Sequence, residues 1–200
     1  MNFRHFLLTT AILFSLFINA QNDFQIGAKA GVNYSGFNVN GTSSYTDAFG
    51  LLAGVIAEYQ LSNTFSIQPE LIFIQKTGGR ETPSNLPGGL IRADLSYIDL
   101  PISGKYYFFK GFAVEFGPQL DILINDKTTI AFNNDNSEPN PANIETNAIQ
   151  LSINLGFSYK IAQKYLVQFR YSHGITHIYK DLDATNSVFA LSVGYFFLNK

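Results

Sequence analysis

The sequence predicts an all-β protein: an eight-stranded antiparallel up-and-down transmembrane β-barrel preceded by a cleaved signal peptide. Three observations carry that expectation. Apolar and polar residues alternate with a period of two in eight segments, short turns alternate with long polar loops, and a brief apolar leader opens the chain.

Composition agrees with this class and excludes others. Two hundred residues suit one domain, and 46% are hydrophobic and 15% aromatic. Yet no apolar run after residue 20 is long enough to cross a bilayer as a helix, so the apolar residues are dispersed, as alternation disperses them. A net charge of −2 with 14% charged residues indicates neither a nucleic-acid partner nor a polybasic membrane patch. The absence of cysteine removes disulfide frameworks, thiolate nucleophiles and cysteine zinc sites.

The leader has the order of a secretory signal. Arg4 precedes an apolar run from Phe6 to Ile18, then Asn19-Ala20, then the polar Gln21-Asn22-Asp23. The apolar part is too short and wrongly flanked for a stable anchor, so residues 1–20 read as a signal peptide and 21–200 as one barrel domain.

The strands follow in order. Phe24 to Tyr34 sets Phe24, Ile26, Ala28, Ala30, Val32 and Tyr34 against Gln25, Gly27, Lys29, Gly31 and Asn33. Phe49 to Tyr59 sets Phe49, Leu51, Ala53, Val55, Ala57 and Tyr59 against Gly50, Leu52, Gly54, Ile56 and Glu58. Thr64 to Lys76 opposes Phe65, Ile67, Pro69, Leu71 and Phe73 to Ser66, Gln68 and Glu70, with Ile72 and Ile74 blurring its upper end. Strand four, 95–109, turns Tyr97, Asp99, Ser103, Lys105 and Tyr107 away from its apolar set, and strand five, 112–124, does the same with Glu115, Gly117, Gln119 and Asp121. Strands six (147–160) and seven (165–173) alternate almost perfectly. The last, Ser187 to Leu198, sets Phe189, Leu191, Val193, Tyr195 and Phe197 against Ala190, Ser192 and Gly194. Proline cannot donate to a ladder, so irregularities are expected at Pro69, Pro101 and Pro118.

The connections are short at 60–63, 110–111 and 161–164, and long and polar at 35–48, 77–94, 126–146 and 174–186. A soluble barrel has no reason to gather loop length at one end. A membrane barrel has short periplasmic turns and long external loops, which with an even strand number places both termini in the periplasm. Volume decides which face points outward: an eight-stranded interior is just wide enough for side chains to fill, so it suits the Gly, Ser, Asn and Gln set, leaving Phe, Tyr, Leu, Ile and Val to lipid. Tyr34, Tyr59, Tyr159, Tyr165 and Tyr171 at strand ends fit interfacial girdles.

Several stretches resemble the PorT-type outer-membrane β-barrel family: Gly27-Ala28-Lys29-Ala30-Gly31-Val32-Asn33, Gln68-Pro69-Glu70-Leu71, Tyr97-Ile98-Asp99-Leu100-Pro101 leading to Lys105-Tyr106-Tyr107-Phe108, and Gly117-Pro118-Gln119. Asp99 stands where that family often has glutamate. The resemblance covers the mature chain and implies a small eight-stranded barrel in the outer membrane of a Gram-negative-type envelope.

Under this register Lys29, Glu58, Glu70, Asp99, Lys105, Glu115, Asp121, Lys160 and Arg170 project into the lumen. Ions in a narrow interior are strongly disfavoured unless paired, so these residues should form a structural charge network rather than an ion path. A catalytic alternative would use Ser172, His173, His177, Asp181 and Asp183, the residue types of a nucleophile, base and orienter. Ser172 and His173 are neighbours in a strand and point to opposite faces, so neither a catalytic pair nor a helical His-x-x-x-His metal site is expected. Asp126, Asp135 and Glu138 match no calcium-loop spacing, and Gly78-Gly79 lacks the helix context of a phosphate loop. The expectation is therefore no cofactor, no metal, no catalytic residue and no nucleic-acid partner. The partners expected are outer-membrane lipid, the barrel-assembly machinery through the C-terminal strand, and an envelope or surface protein at the loops. The expected role is structural or interactive; a narrow passive pore is the alternative, and a membrane hydrolase a third.

Overall fold

The computed structural model describes residues 24–39, 42–43, 48–81, 89–132, 140–141, 145–180 and 184–199. The expected signal peptide and most of the polar tip 133–143 lie outside the described residues, as do Asp135, Glu138, Asp181 and Asp183.

Eight long strands build the molecule: β1 Phe24–Val39, β2 Ala48–Ser62, β3 Phe65–Glu81, β4 Gly89–Phe109, β5 Phe112–Phe132, β6 Ile149–Ile161, β7 Tyr165–Gly174 and β8 Ala184–Asn199. Each pairs antiparallel with the next, and β8 returns to pair with β1 from Gln25↔Asn199 to Val39↔Ala184. That last ladder closes the sheet into a barrel and removes its edges, the condition for a sheet to stand in hydrocarbon. Two-residue segments, Thr42–Ser43 and Asn140–Pro141, extend the pairing beyond β1 and β5.

Alternation decides which side chains face out. In β6 exposure strictly alternates: Leu151, Ile153, Leu155, Phe157 and Tyr159 are exposed, while Gln150, Ser152, Asn154, Ser158 and Lys160 are buried. Aromatic pairs ring both ends of the apolar belt. Tyr34–Phe49 and Tyr171–Phe189 lie towards the long loops, and Tyr165–Tyr195 and Phe108–Phe112 towards the short turns.

The short turns are tight. Lys110-Gly111 joins β4 to β5 with Gly111 at φ 78°, a left-handed conformation that glycine takes without a steric penalty. The β6–β7 turn puts Ala162 and Gln163 at φ 50° and 58°, and Lys164 N–H donates to the Ile161 carbonyl at 3.0 Å, as in a type I′ hairpin.

Three expectations need correction. First, β3, β4 and β5 reach Glu81, Gly89 and Phe132, well into stretches read as loop, because the ladder carries them onward after their alternation fades. Second, the prolines interrupt the ladders without shifting them: pairing lapses between Ile56↔Glu70 and Tyr59↔Ile67 around Pro69, and between Pro101↔Gln119 and Gly104↔Phe116 around Pro118, and resumes in the same register. Three register shifts fall near strand ends, at Ile26/Gly27, Gln60/Ser62 and Tyr107/Phe109, where a bulge costs fewer ladder bonds, and a fourth falls inside β4 at Ser96/Tyr97. Third, the inward face of β8 is not uniformly small and polar, since Val188 and Phe196 continue it at either end and are buried.

The connection after β7 departs furthest from expectation. Residues 175–180 fold across the long-loop mouth, and Ile178 and Tyr179 bury against Leu52, Ile72, Ile74, Leu95, Tyr97 and Val188. Three backbone bonds hold this seal: Asn147 N–H to Ile178 O and Ile178 N–H to Ala184 O, both 2.7 Å, and Lys180 N–H to Glu145 O at 3.1 Å. The blurred upper end of β3 thus has a use, because Ile72 and Ile74 line the pocket that Ile178 fills.

Candidate functional site

The lumen holds the charged residues expected there, in three layers. In the central layer Arg170 on β7 makes a two-pronged contact with Glu70 on β3: Nη1 to Oε2 at 3.0 Å and Nη2 to Oε1 at 2.6 Å. Its Nε donates to Glu115 Oε1 at 3.1 Å. Lys29 closes on Glu70 Oε2 at 2.6 Å and donates to Gln168 Oε1 at the same distance, while Gln168 Nε2 donates to Glu115 at 2.8 Å. Gly156 leaves the room this requires, since a Cβ there would come within 2.9 Å of the Glu115 carboxylate.

Towards the long loops, Lys76 Nζ sits 3.0 Å from Asp99 and 3.5 Å from Asp121, and 4.4 Å from the centre of the Tyr97 ring. Gln119 donates to both carboxylates, Ser152 Oγ donates to Asp121 at 2.5 Å, and Gln150 Nε2 donates to the Tyr97 hydroxyl at 3.0 Å. Towards the short turns, Glu58 receives Lys160 at 2.8 Å, Lys105 at 3.5 Å, Ser66 Oγ at 2.9 Å and the Tyr107 hydroxyl at 2.5 Å. Lys105 also donates to Gln68 Oε1 at 2.8 Å, and Lys160 to Gln25 Oε1 at 2.9 Å.

Among the described residues the buried ions are five cations, Lys29, Lys76, Lys105, Lys160 and Arg170, and five carboxylates, Glu58, Glu70, Asp99, Glu115 and Asp121. Each ion costs several kcal/mol to desolvate, and this parity allows every one an opposite partner. The layers are not individually neutral. The centre balances two against two, the long-loop layer has one lysine for two carboxylates, and the short-turn layer two lysines for one. Sequence reading placed nine of these groups in the lumen and missed Lys76. It lies in step with Ser66, Gln68 and Glu70, but the intervening Ile72 and Ile74 hid the period.

Between the central and long-loop layers lies a cavity of about 30 Å³, bordered by Lys29, Lys76, Asp99 and Arg170. At the short-turn end the lumen widens into a vestibule of about 690 Å³. Of the residues a catalytic centre would use, Ser172 is buried in the lumen and His173 is exposed on the outer face, where its ring stacks on Tyr171, so these two do not meet. His177 lies in the segment across the long-loop mouth, its carbonyl accepting from Asn147 Nδ2 at 3.0 Å. Among the described residues no group of three or more His, Asp or Glu side chains is placed to hold a metal.

A closed eight-stranded barrel with an apolar exterior, two aromatic girdles and an ionic interior defines a transmembrane barrel of the outer-membrane class. The family comparison sharpens this. Residues 19–180 match the outer membrane protein beta-barrel domain, and the chain belongs to that family.

Solved structures repeat the fold at low identity. Ail, the attachment invasion locus protein of Yersinia pestis, solved in complex with the heparin analogue sucrose octasulfate, is 15% identical with a TM-score of 0.52, covering 88% of this chain and 99% of Ail. Neisserial surface protein A is 12% identical with a TM-score of 0.50, covering 87% and 97%. OprG from Pseudomonas aeruginosa is 16% identical with a TM-score of 0.48, covering 89% and 97%. No curated protein sequence matches the chain.

Proposed function

We propose that this outer-membrane barrel is a closed structural and interaction protein that presents its long loops to a partner, rather than a pore or an enzyme. One observation carries the reading: from Ile178 through the three charged layers the lumen is filled, with about 30 Å³ left between its inner layers. A cavity of that size holds a few waters, not a column of them running the length of the barrel.

In this reading the short turns and both termini face the periplasm, as in outer-membrane barrels generally, and the long loops face outward. The C-terminal strand, which completes the barrel against β1, is the element offered to the assembly machinery. The stretches shared with PorT-type barrels support placing the chain near that branch of the family. The long connections at 35–48, 77–94, 126–146 and 174–186 carry nine acidic and four basic residues, which favours a basic partner. Separation of Ser172 from His173 supports the non-catalytic reading.

Planar-bilayer recording of the purified protein tests this directly. No steady conductance is expected; a stable open level carried by the native chain would refute the closed-lumen reading in favour of a narrow pore.

A further inference from the structure

We propose that the vestibule at the short-turn end is a binding site for a carboxylate-bearing peptide, taken by its C-terminal end. At about 690 Å³ it falls within the roughly 300–1,000 Å³ of ordinary ligand pockets, while the opposite mouth is filled by the chain itself. The two ends of one lumen therefore differ in kind.

The lining gives the ligand class. Side-chain amides of Gln25, Gln60, Asn63 and Gln163 surround the opening, with the Tyr107 ring and the Glu58 carboxylate beneath and Lys105 and Lys160 behind that carboxylate. An amide presents a donor and an acceptor together, the pair that a peptide unit also presents, so four amides suit an extended peptide better than an apolar molecule. Gln25 is already committed to such a contact, donating to the Gln163 carbonyl at 3.4 Å. Phe108 and Phe109 on the border offer apolar surface for a side chain.

The floor gives the charge. Glu58 is shared by Lys105 and Lys160, and the nearer ammonium, Lys160, turns also to Gln25 and to the rings of Tyr107 and Phe196, at 5.5 and 4.9 Å. Lys160 pairs with Glu58 at 2.8 Å and Lys105 reaches the same carboxylate only at 3.5 Å, so one negative charge is divided between two ammonium groups. One negative charge is wanting in this layer, and Lys110 on the vestibule border adds a second positive field. In a low-dielectric cleft such an excess draws an anion; the amides and Lys110 would make the contact while the two lysines act through their field. A terminal carboxylate on an amide chain satisfies lining and floor together.

The full chain in lipid nanodiscs, with its side-chain amides followed by NMR, supplies the test. The probes are tetra-alanine with a free C-terminal carboxylate, the same peptide amidated, and inorganic phosphate. The expected result is that the free acid shifts the amide signals of Gln25, Gln60, Asn63 and Gln163, that amidation weakens binding at least tenfold, and that Lys110→Gln weakens binding of the acid several-fold but not of the amide. Equal binding of acid and amide, or no shift with either, overturns the proposal. Phosphate binding as tightly as the acid overturns the peptide class in favour of a simple anion site. Planar-bilayer conductance reads the closed-lumen reading separately, so failure of either leaves the other standing.

Discussion

The two ends of the lumen solve the same problem in opposite ways. At the long-loop end a segment of the chain itself, led by Ile178, closes the barrel with apolar packing above a layer rich in carboxylate. At the short-turn end the tight turns leave the mouth open above a layer rich in ammonium. Loop length accounts for the contrast, because a connection of three residues cannot fold back over a barrel and one of nine can. Closure is therefore carried by the side with spare chain, and a site for another molecule is left on the side without it.

The largest expected effect comes from the residue both ends rest on. Arg170→Leu leaves Glu70 and Glu115 facing each other with Lys29 alone between them, and removing one member of a buried ionic group costs about 3–5 kcal/mol. Urea unfolding in detergent micelles should show that loss while bilayer recordings stay silent; a steady pore in an otherwise stable variant would reverse the roles assigned to the network.

The comparison of ends predicts an asymmetry next. Ile178→Ala removes the centre of the apolar seal and should cost about 2–4 kcal/mol with faster amide exchange in residues 145–147 and 175–180. Gln60→Ala at the open end should leave the unfolding midpoint nearly unchanged. Equal losses from the two would mean that the ends are not differently built.

The wall between them gives a third measure. Val193→Arg puts a charge on the lipid face and should cost about 2–4 kcal/mol if the position lies near the bilayer midplane, whereas the inward Ser192→Ala should cost far less. Similar penalties would place both residues in similar surroundings.

The smallest effect lies outside the membrane. Lys180 holds the Glu145 carboxyl below its ordinary range through a 2.6 Å hydrogen bond and charge attraction. A carboxyl lowered on folding contributes stability above its unfolded pKa and loses it as pH falls through the folded one. This pair is exposed, so the loss on acidification should be barely detectable in unfolding curves. NMR titration should nevertheless find the Glu145 midpoint rising when Lys180 becomes alanine; an unmoved midpoint would show that the pair does not persist in solution.

Much of this was legible because alternation is a local signal. Each strand states in its own residues which side faces lipid, so the lumen could be assembled from Lys29, Glu70, Asp99 and their companions before any coordinates. Lys76 was lost where two inward isoleucines interrupted the polar set. The Ile178 seal was invisible for a different reason: one apolar pair in a polar loop has no period, and its burial is decided by residues far away in the chain. The overhanging parts of β3 to β5 are likewise set by their neighbours in the ladder and not by their own alternation. The vestibule is a shape, and no run of residues spells it.

Strand length carries one more consequence. At about 3.3 Å per residue and a tilt near 45°, the 21-residue β4 and β5 rise roughly 50 Å along the membrane normal, while the ten-residue β7 rises about 23 Å, barely the height of a 25 Å apolar belt. The rim is thus cut on a slant, like a quill, with a high wall at β4–β5 and a low sill at β7. The wall stands well clear of the apolar belt, and the sill does not.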